Sequence, residues 1–157
     1  MHTYWIVVAS AGRASVYRKA QGLAGLEPVH QLDNPGGRAH VGDIMEDQRG
    51  RIEKHGSGVM SAMDPAHGPH EQIIKEFARE ICRLLDMGAN RHSYDELVLF
   101  APAHFLGLLR AGLSSATKKL PLSCLAKDLT QLVLTDLENR LGDLLHFHAI
   151  GSASVND

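Results

Sequence analysis

The chain of 157 residues lacks the compositional features of secreted disulfide-rich proteins and of basic proteins that coat nucleic acids. It has two cysteines, 5% aromatic residues and no excess of positive charge, with 16 Lys and Arg residues against 18 Asp and Glu residues. This balance removes the electrostatic drive for non-specific nucleic-acid binding by the whole domain, so any RNA contact must be local. Cys82 and Cys124 lie in separate apolar segments, which predicts reduced core thiols.

Long hydrophobic runs and targeting segments are also missing. The longest apolar stretch, residues 97–109, is interrupted by Pro102 and His104 and falls short of the ~20 residues of a membrane helix. The first five residues contain no Lys or Arg and lead directly into a strand pattern, so no secretory signal is visible. We therefore expect a cytoplasmic protein without a membrane span, with a single domain over residues 1–150 and a flexible tail at 151–157.

The chain does contain a series of strand patterns followed by alternating helix and strand patterns. Segments rich in β-branched and apolar residues predict five strands, and apolar residues at helical spacing predict three helices. The predicted strands are Tyr4–Ala9, Ala14–Lys19, Leu26–Leu32, Glu96–Ala101 and Leu122–Ala126. The predicted helices begin near Pro69, Phe105 and Thr135, and Gly88 is expected to end the first of them. The first two strands form a hairpin, and Pro28 indicates an edge position for the third.

This order predicts an α/β fold with a mixed β-sheet and flanking helices, in the order βββ-long loop-αβαβα. Right-handed crossovers would place the fourth and fifth strands parallel beside the first, which is a ribonuclease H-like arrangement. A nuclease of that type needs carboxylates for two Mg²⁺ ions, conventionally beginning on the first, central strand. Ala9 and Ser10 stand at that place, so the sequence argues against a two-metal nuclease.

Residues 34–68 follow neither the strand nor the helix period and contain seven glycines and two prolines, which predicts one long loop. Loops of this length inside a compact domain are uncommon and usually functional or disordered, so the candidate functional residues are placed here. The cationic candidates for contact with RNA phosphates are Arg38, Arg49, Arg51 and Lys54. The candidates for acid and base catalysis are His55, His67 and His70. Five acidic residues offset the four cations, so a solvated loop is an equal alternative on charge alone.

Metal, cofactor and nucleophile signals are weak. His67 and His70 are close enough in sequence to share a metal ion, as are His146 and His148, but no cysteine pair accompanies them. Gly12 and the glycines at 36–37 do not lie directly between a predicted strand and a predicted helix, as the glycines of a nucleotide-binding motif do. The Gly-x-Ser-x-Gly motif of a hydrolase nucleophile does not occur in the sequence. We therefore predict no metal site and no cofactor.

Several short phrases occur in a characteristic order over nearly the whole chain. They are Trp5–Ala9 with Ala11–Ala14, Asn34–His40, Asp64–Pro65, Pro69–Glu71, Phe77–Glu80, Ala101–Gly107 and Lys127–Thr130. In order and spacing they resemble the bacterial host attachment protein family, bacterial relatives of the archaeal and eukaryotic class 1 release factors. The resemblance implies the fold of the release-factor middle domain, in agreement with the ribonuclease H-like order of elements.

The resemblance also concerns residues 54–62. In release factors, a long loop before the first long helix carries Gly-Gly-Gln, which acts at the peptidyl-tRNA ester. The residues that resemble this loop in position are His55, Gly56, Ser57, Gly58, Val59 and Met60. Val59 and Met60 stand where the second glycine and the glutamine are expected, and methionine lacks the amide hydrogen-bonding groups. The resemblance therefore implies a ribosome- or tRNA-associated accessory factor without an intact Gly-Gly-Gln motif.

Two further functions stay open at the level of sequence. One is a protein-interaction module for host or surface attachment, in which the loop at 34–68 orders on a protein partner. The other is a hydrolase acting on RNA or peptidyl-tRNA through the loop histidines. The leading hypothesis is a non-enzymatic or weakly catalytic accessory factor that acts on the ribosome or tRNA through the loop at 34–68.

Overall fold

The computed structural model describes residues 2–22, 24–38 and 68–143. Five strands are present in these ranges: β1 (Thr3–Ala9), β2 (Arg13–Ala20), β3 (Glu27–Asp33), β4 (Glu96–Phe100) and β5 (Leu122–Leu125). The helices of these ranges are α1 (Pro35–Arg38), α2 (Pro69–Asn90), α3 (Ala103–Gly112), α4 (Ser115–Lys118) and α5 over described residues 134–143. The first residues of the predicted long loop are therefore helical, which corrects that prediction for residues 35–38.

The strands form one mixed sheet in the order β3-β2-β1-β4-β5. β1 is antiparallel to β2 and parallel to β4, and β5 continues the parallel half. The predicted hairpin, the edge position of β3 and the parallel later strands are thus confirmed. The predicted α/β class with a mixed sheet and flanking helices is confirmed as well.

Each face of the sheet has its own core because the side chains of β1 alternate between the two faces. Trp5, Val7 and Ala9 belong to a core that includes residues of α2 and α3. Ile6 and Val8 belong to a second core on the opposite face, with Leu129, Leu137 and Leu141. β1 is therefore buried on both sides, as its continuous apolar sequence predicts.

One local prediction for the helical region was wrong, and one short helix was not predicted. Gly88 does not end α2 but lies inside it, where an added Cβ would come within 2.6 Å of the Trp5 ring. The helix ends two residues later, and His92 then adopts a positive φ of 56°. The short helix α4 was not predicted, since four residues cannot show a helical period; the Ser114 side chain accepts a hydrogen bond from the Thr117 backbone N–H and caps it.

Both cysteines are free thiols, as predicted. The Cys82 thiol is buried and donates a hydrogen bond to the Leu109 carbonyl oxygen over 3.2 Å. Within residues 2–22, 24–38 and 68–143, none of the helices combines the length and the apolar character that crossing a bilayer requires.

Candidate functional site

The carboxyl-terminal ends of several strands meet at one edge of the sheet. β1, β4 and β5 are parallel, and β3 runs in the same direction because it is antiparallel to β2. The segments that follow or face these strand ends are Ser10–Gly12, Asn34–Arg38, Gly68–Glu71 and Pro102–His104, and we call them the carboxyl edge. In open α/β sheets, ligands characteristically bind outside the carboxyl ends of the strands.

Asn34 fixes the position of α1 on this edge. Its backbone N–H donates to the Gly12 carbonyl oxygen over 2.9 Å, and its side-chain amide donates to the Ala11 carbonyl oxygen over 2.8 Å. An added Cβ at Gly37 would overlap that same Ala11 oxygen, so only glycine permits this approach. The glycine-containing turn therefore holds Arg38 at the carboxyl edge.

Arg38 forms a two-pronged ion pair with Asp33 at the end of β3. Its Nη1 donates to Oδ1 over 2.5 Å and its Nη2 donates to Oδ2 over 3.1 Å. Both side chains are exposed, so the pair adds little to stability. The guanidinium has N–H donors beyond these two, so Arg38 can still meet a phosphate while Asp33 orients it.

Glu71 and His104 connect the first turns of α2 and α3. His104 Nε2 donates to Glu71 Oε1 over 2.7 Å; the glutamate side chain is 14% exposed and the histidine side chain 68% exposed. An exposed imidazole can act as a general base, and a carboxylate hydrogen-bonded to it holds the ring in position. In this pair His104 is the imidazole and Glu71 the carboxylate. Sequence reasoning did not select His104, although its position just after a buried strand and Pro102 is a signal that could have done so.

His70 also lies in the first turn of α2, one residue before Glu71. Its Nδ1 is buried and has no hydrogen-bond partner among the residues that the structure describes. Among the described residues, the hydrogen bond of Glu71 goes to His104 and not to this nitrogen. Of the three histidines that the sequence put forward, His70 is the one that lies within the described residues.

Among the residues that the structure describes, no side chain caps the N-terminus of α2 or of α3. Gly68 and Pro102 occupy the two N-cap positions, and neither accepts a side-chain hydrogen bond from the first turn. Within ranges 68–143 and 2–38 without residue 23, the first backbone N–H groups of both helices therefore have no side-chain acceptor, and the helix dipoles add partial positive charge at the carboxyl edge. Glu71 offsets part of that charge at α2.

The other sequence-predicted site residues lie outside the described residues. They are Arg49, Arg51, Lys54, His55, Gly56, Ser57, Gly58, Val59, Met60 and His67. The same holds for His146, His148 and the predicted tail at 151–157. Over the described ranges no group of three or more His, Cys, Asp or Glu residues is arranged to hold a metal ion.

The two thiols are poor candidates for nucleophiles. Burial, with Asp86 nearby, raises the pKa of Cys82 to about 11, against a smaller opposing effect of Lys118. Burial also raises the pKa of Cys124, although the nearby Arg110 lowers it in part. Since the thiolate is the reactive form, both positions favour the unreactive thiol.

Comparison with protein families gives a match over most of the chain. A family model described as "Protein required for attachment to host cells" matches residues 5–141. No curated protein sequence matches the chain.

Two solved structures are similar to the chain at low identity. One is the crystal structure of an archaeal translation termination factor, with 14% identity, a TM-score of 0.39, and coverage of 97% of this chain and 41% of that one. The other, described as an archaeal protein, has 13% identity and a TM-score of 0.36, with coverage of 97% and 40%. The chain thus spans about two fifths of the length of these two proteins.

Proposed function

The chain belongs to the family of proteins required for attachment to host cells, and we propose that it acts as a ribosome- or tRNA-associated accessory factor that contacts RNA through its carboxyl edge. It then acts in the cytoplasm, and its effect on attachment is indirect. The observation that supports this proposal is that Arg38, whose side chain lies against Gly12, is on the same edge of the sheet as the N-termini of α2 and α3, which no described side chain caps. Backbone N–H groups at helix N-termini are favourable partners for phosphate oxygens.

The described edge alone supplies only part of the necessary affinity. A helix N-terminus contributes about 0.3–1 kcal/mol to an anion's binding at an exposed site. The proposal therefore includes the three cations that the sequence places in the connection from α1 to α2, namely Arg49, Arg51 and Lys54. Four neutralised phosphates give a slope of roughly −3 in log K against log salt for single-stranded RNA.

Co-sedimentation with ribosomes tests this proposal. We expect the protein to sediment with ribosomes at low salt, to dissociate as salt rises, and to be released by nuclease treatment. A variant with Arg38, Arg49, Arg51 and Lys54 replaced by alanine should stay in the supernatant, because it has lost the phosphate contacts.

A matched control removes the same charge elsewhere. Alanine at Arg91, Lys118, Lys119 and Arg140, four exposed cations outside the carboxyl edge, should leave sedimentation unchanged. Equal sedimentation of the edge variant and the unaltered protein would contradict the proposal. Complexes that survive nuclease treatment would favour the protein-interaction module.

The Glu71–His104 pair favours one second candidate function, hydrolysis of an ester or phosphodiester in RNA or peptidyl-tRNA. In this function His104 takes a proton from the attacking water and Glu71 orients the ring through the 2.7 Å hydrogen bond. General-base catalysis contributes about 10²–10⁴-fold, so His104→Ala should lower turnover by that factor. If turnover is unchanged in His104→Ala but lost in His55→Ala, catalysis belongs to the loop histidines. His30→Gln is the control, because His30 is a histidine distant from the carboxyl edge.

A further inference from the structure

A polar groove lies on the face of the sheet opposite to α2. On this face α5 and the segment before it cover β1 and β4, with Leu137 and Leu129 packed near Val8. In the described part of the chain, residues of β2 and β3 lie beside this cover and face Leu132 across the groove. The groove between these parts has a volume of about 190 Å³.

Alternation along β2 brings three polar side chains to the groove. Arg13, Ser15 and Tyr17 line it, and Gln31 lies directly opposite Ser15 in the register of β2 and β3. Among the residues that the structure describes, none of these four side chains has a hydrogen-bond or ion-pair partner. The groove therefore combines a guanidinium, two hydroxyls and an amide, all available to a ligand.

The nearby carboxylates are already engaged by other groups. Asp33, which faces Arg13 across the strands, accepts both hydrogen bonds of the Arg38 guanidinium. Asp128 accepts hydrogen bonds from the backbone N–H and the hydroxyl of Thr130 on the far wall. The charge of Arg13 is thus left without a partner among the described residues, and an external anion can supply one.

We propose that this groove, which we call the Arg13 groove, binds the phosphate group of a sugar phosphate. The Arg13 guanidinium can donate two parallel hydrogen bonds to two phosphate oxygens. The side chains of Ser15, Tyr17 and Gln31 then form hydrogen bonds with the third oxygen and with the sugar hydroxyls. A carboxylate has two oxygens and would leave donors of this set unused. The volume is below the range of about 300–1,000 Å³ for pockets that hold drug-sized ligands, which suits one sugar phosphate unit.

The phosphate can belong to a free sugar phosphate or to the phosphorylated end of an RNA chain. Calorimetric titration distinguishes these two ligands. The full chain is titrated with ribose 5-phosphate, with ribose, with succinate, and with a short RNA carrying either a 5′-phosphate or a 5′-hydroxyl. We expect binding of ribose 5-phosphate and none of ribose or succinate. Preference for the 5′-phosphorylated RNA over ribose 5-phosphate would assign the RNA end as the source.

Variants connect the binding to the groove. Arg13→Gln should raise the Kd for ribose 5-phosphate about tenfold or more, as expected for the loss of a charge-assisted hydrogen bond. Arg18→Gln is the matched control, because Arg18 lies on the same strand but forms an exposed ion pair with Glu27. Gln31→Ala, on the edge strand, is the second variant and should weaken binding by roughly 2–10-fold.

Three results would overturn this proposal: no binding of any phosphate compound, equal weakening by Arg13→Gln and Arg18→Gln, or succinate bound as tightly as ribose 5-phosphate. Thermal unfolding of each variant verifies that it is folded. The titration with ribose 5-phosphate contains neither ribosomes nor tRNA, so its result is independent of the accessory-factor proposal.

Discussion

Cys82 shows, at the scale of a single residue, how burial alone determines the chemistry of a side chain. It is 2% exposed, and its thiol donates to the Leu109 carbonyl oxygen between α2 and α3. Removal of water penalises the thiolate, which is why the pKa rises to about 11. Cys82 therefore packs in the core as a neutral thiol, and the folded state disfavours its deprotonation.

The free energy of unfolding is expected to decrease as the pH rises from about 9 to about 11, because the unfolded thiol has an ordinary pKa of 9.0 while the folded thiol keeps its proton. Below this window both states are protonated and the contribution to stability is complete. Burial raises the pKa of Tyr94 to about 12, which extends the loss to still higher pH. Urea unfolding across this range measures the effect.

Cys82→Ala is the variant that isolates this contribution. It should show a shallower decrease of stability in the same pH window, whatever its stability at neutral pH. Identical pH dependence in both proteins would show that Cys82 titrates alike in the folded and unfolded chains.

At the scale of the element, α2 shows a conflict between helix propensity and packing. Glycine is an unfavourable residue inside a helix, yet Gly88 lies two residues before the end of this 22-residue helix. The rings of Trp5 and Tyr94 occupy the space where its side chain would be, at 2.6 Å and 3.0 Å from the position that a Cβ atom would take. Gly88 is thus required by the contact between α2 and β1.

Alanine substitution at two helical glycines should therefore have opposite effects. Gly88→Ala is expected to lower the free energy of unfolding by about 1–3 kcal/mol, because it overpacks the core against Trp5. Gly107→Ala, in α3, brings the added Cβ within 4 Å of no atom in the described part of the chain and should raise it by about 0.5–1 kcal/mol. Chemical denaturation of the two variants compares them, and a gain of stability at Gly88 would contradict the packing argument.

The network around Asp86 links α2 to α4 and belongs to the same scale. Asp86 Oδ1 accepts hydrogen bonds from the Ser114 backbone N–H over 3.1 Å and from the Thr117 hydroxyl over 2.5 Å. Thr117 is buried, so its hydroxyl depends on Asp86 and on the Ser114 hydroxyl 3.1 Å away for its hydrogen bonds. Asp86→Ala should cost about 1–3 kcal/mol of stability, measured by the same denaturation experiment, whereas Asp136→Ala, at a residue exposed to solvent, is expected to have little effect.

At the scale of the whole molecule, the position of β1 determines how stability is distributed. β1 pairs with β2 on one side and β4 on the other, and its residues contribute to both cores. The amides of β1 and β4 should therefore exchange with solvent most slowly, while those of the edge strands β3 and β5 should exchange faster. Native-state hydrogen exchange measures this order, and equal protection of β1 and β3 would contradict it.

The class of fold and most of its elements follow from local patterns of residues along the chain. Continuous apolar residues in Trp5–Ala9 and Leu97–Phe100 indicate central strands, and the apolar period after Pro69 indicates the long helix. These patterns are local, since they repeat within a few residues and reflect which faces a strand or helix must bury. The handedness of crossovers then leaves few arrangements of the sheet, and the observed order is the predicted one.

Which residues share a site depends instead on contacts between segments that are distant in the sequence. Glu71 and His104 are 33 positions apart, and no sequence period relates them; they meet because α2 and α3 both begin at the carboxyl edge. Arg13 is left unpaired among the described residues because Arg38, from a different element, takes the carboxylate opposite to it. The role of Gly88 likewise depends on the Trp5 ring, which the chain brings near it only when β1 and α2 pack. Each of these facts depends on contacts between distant segments, and the distances and directions of such contacts are set by the packing of the whole domain.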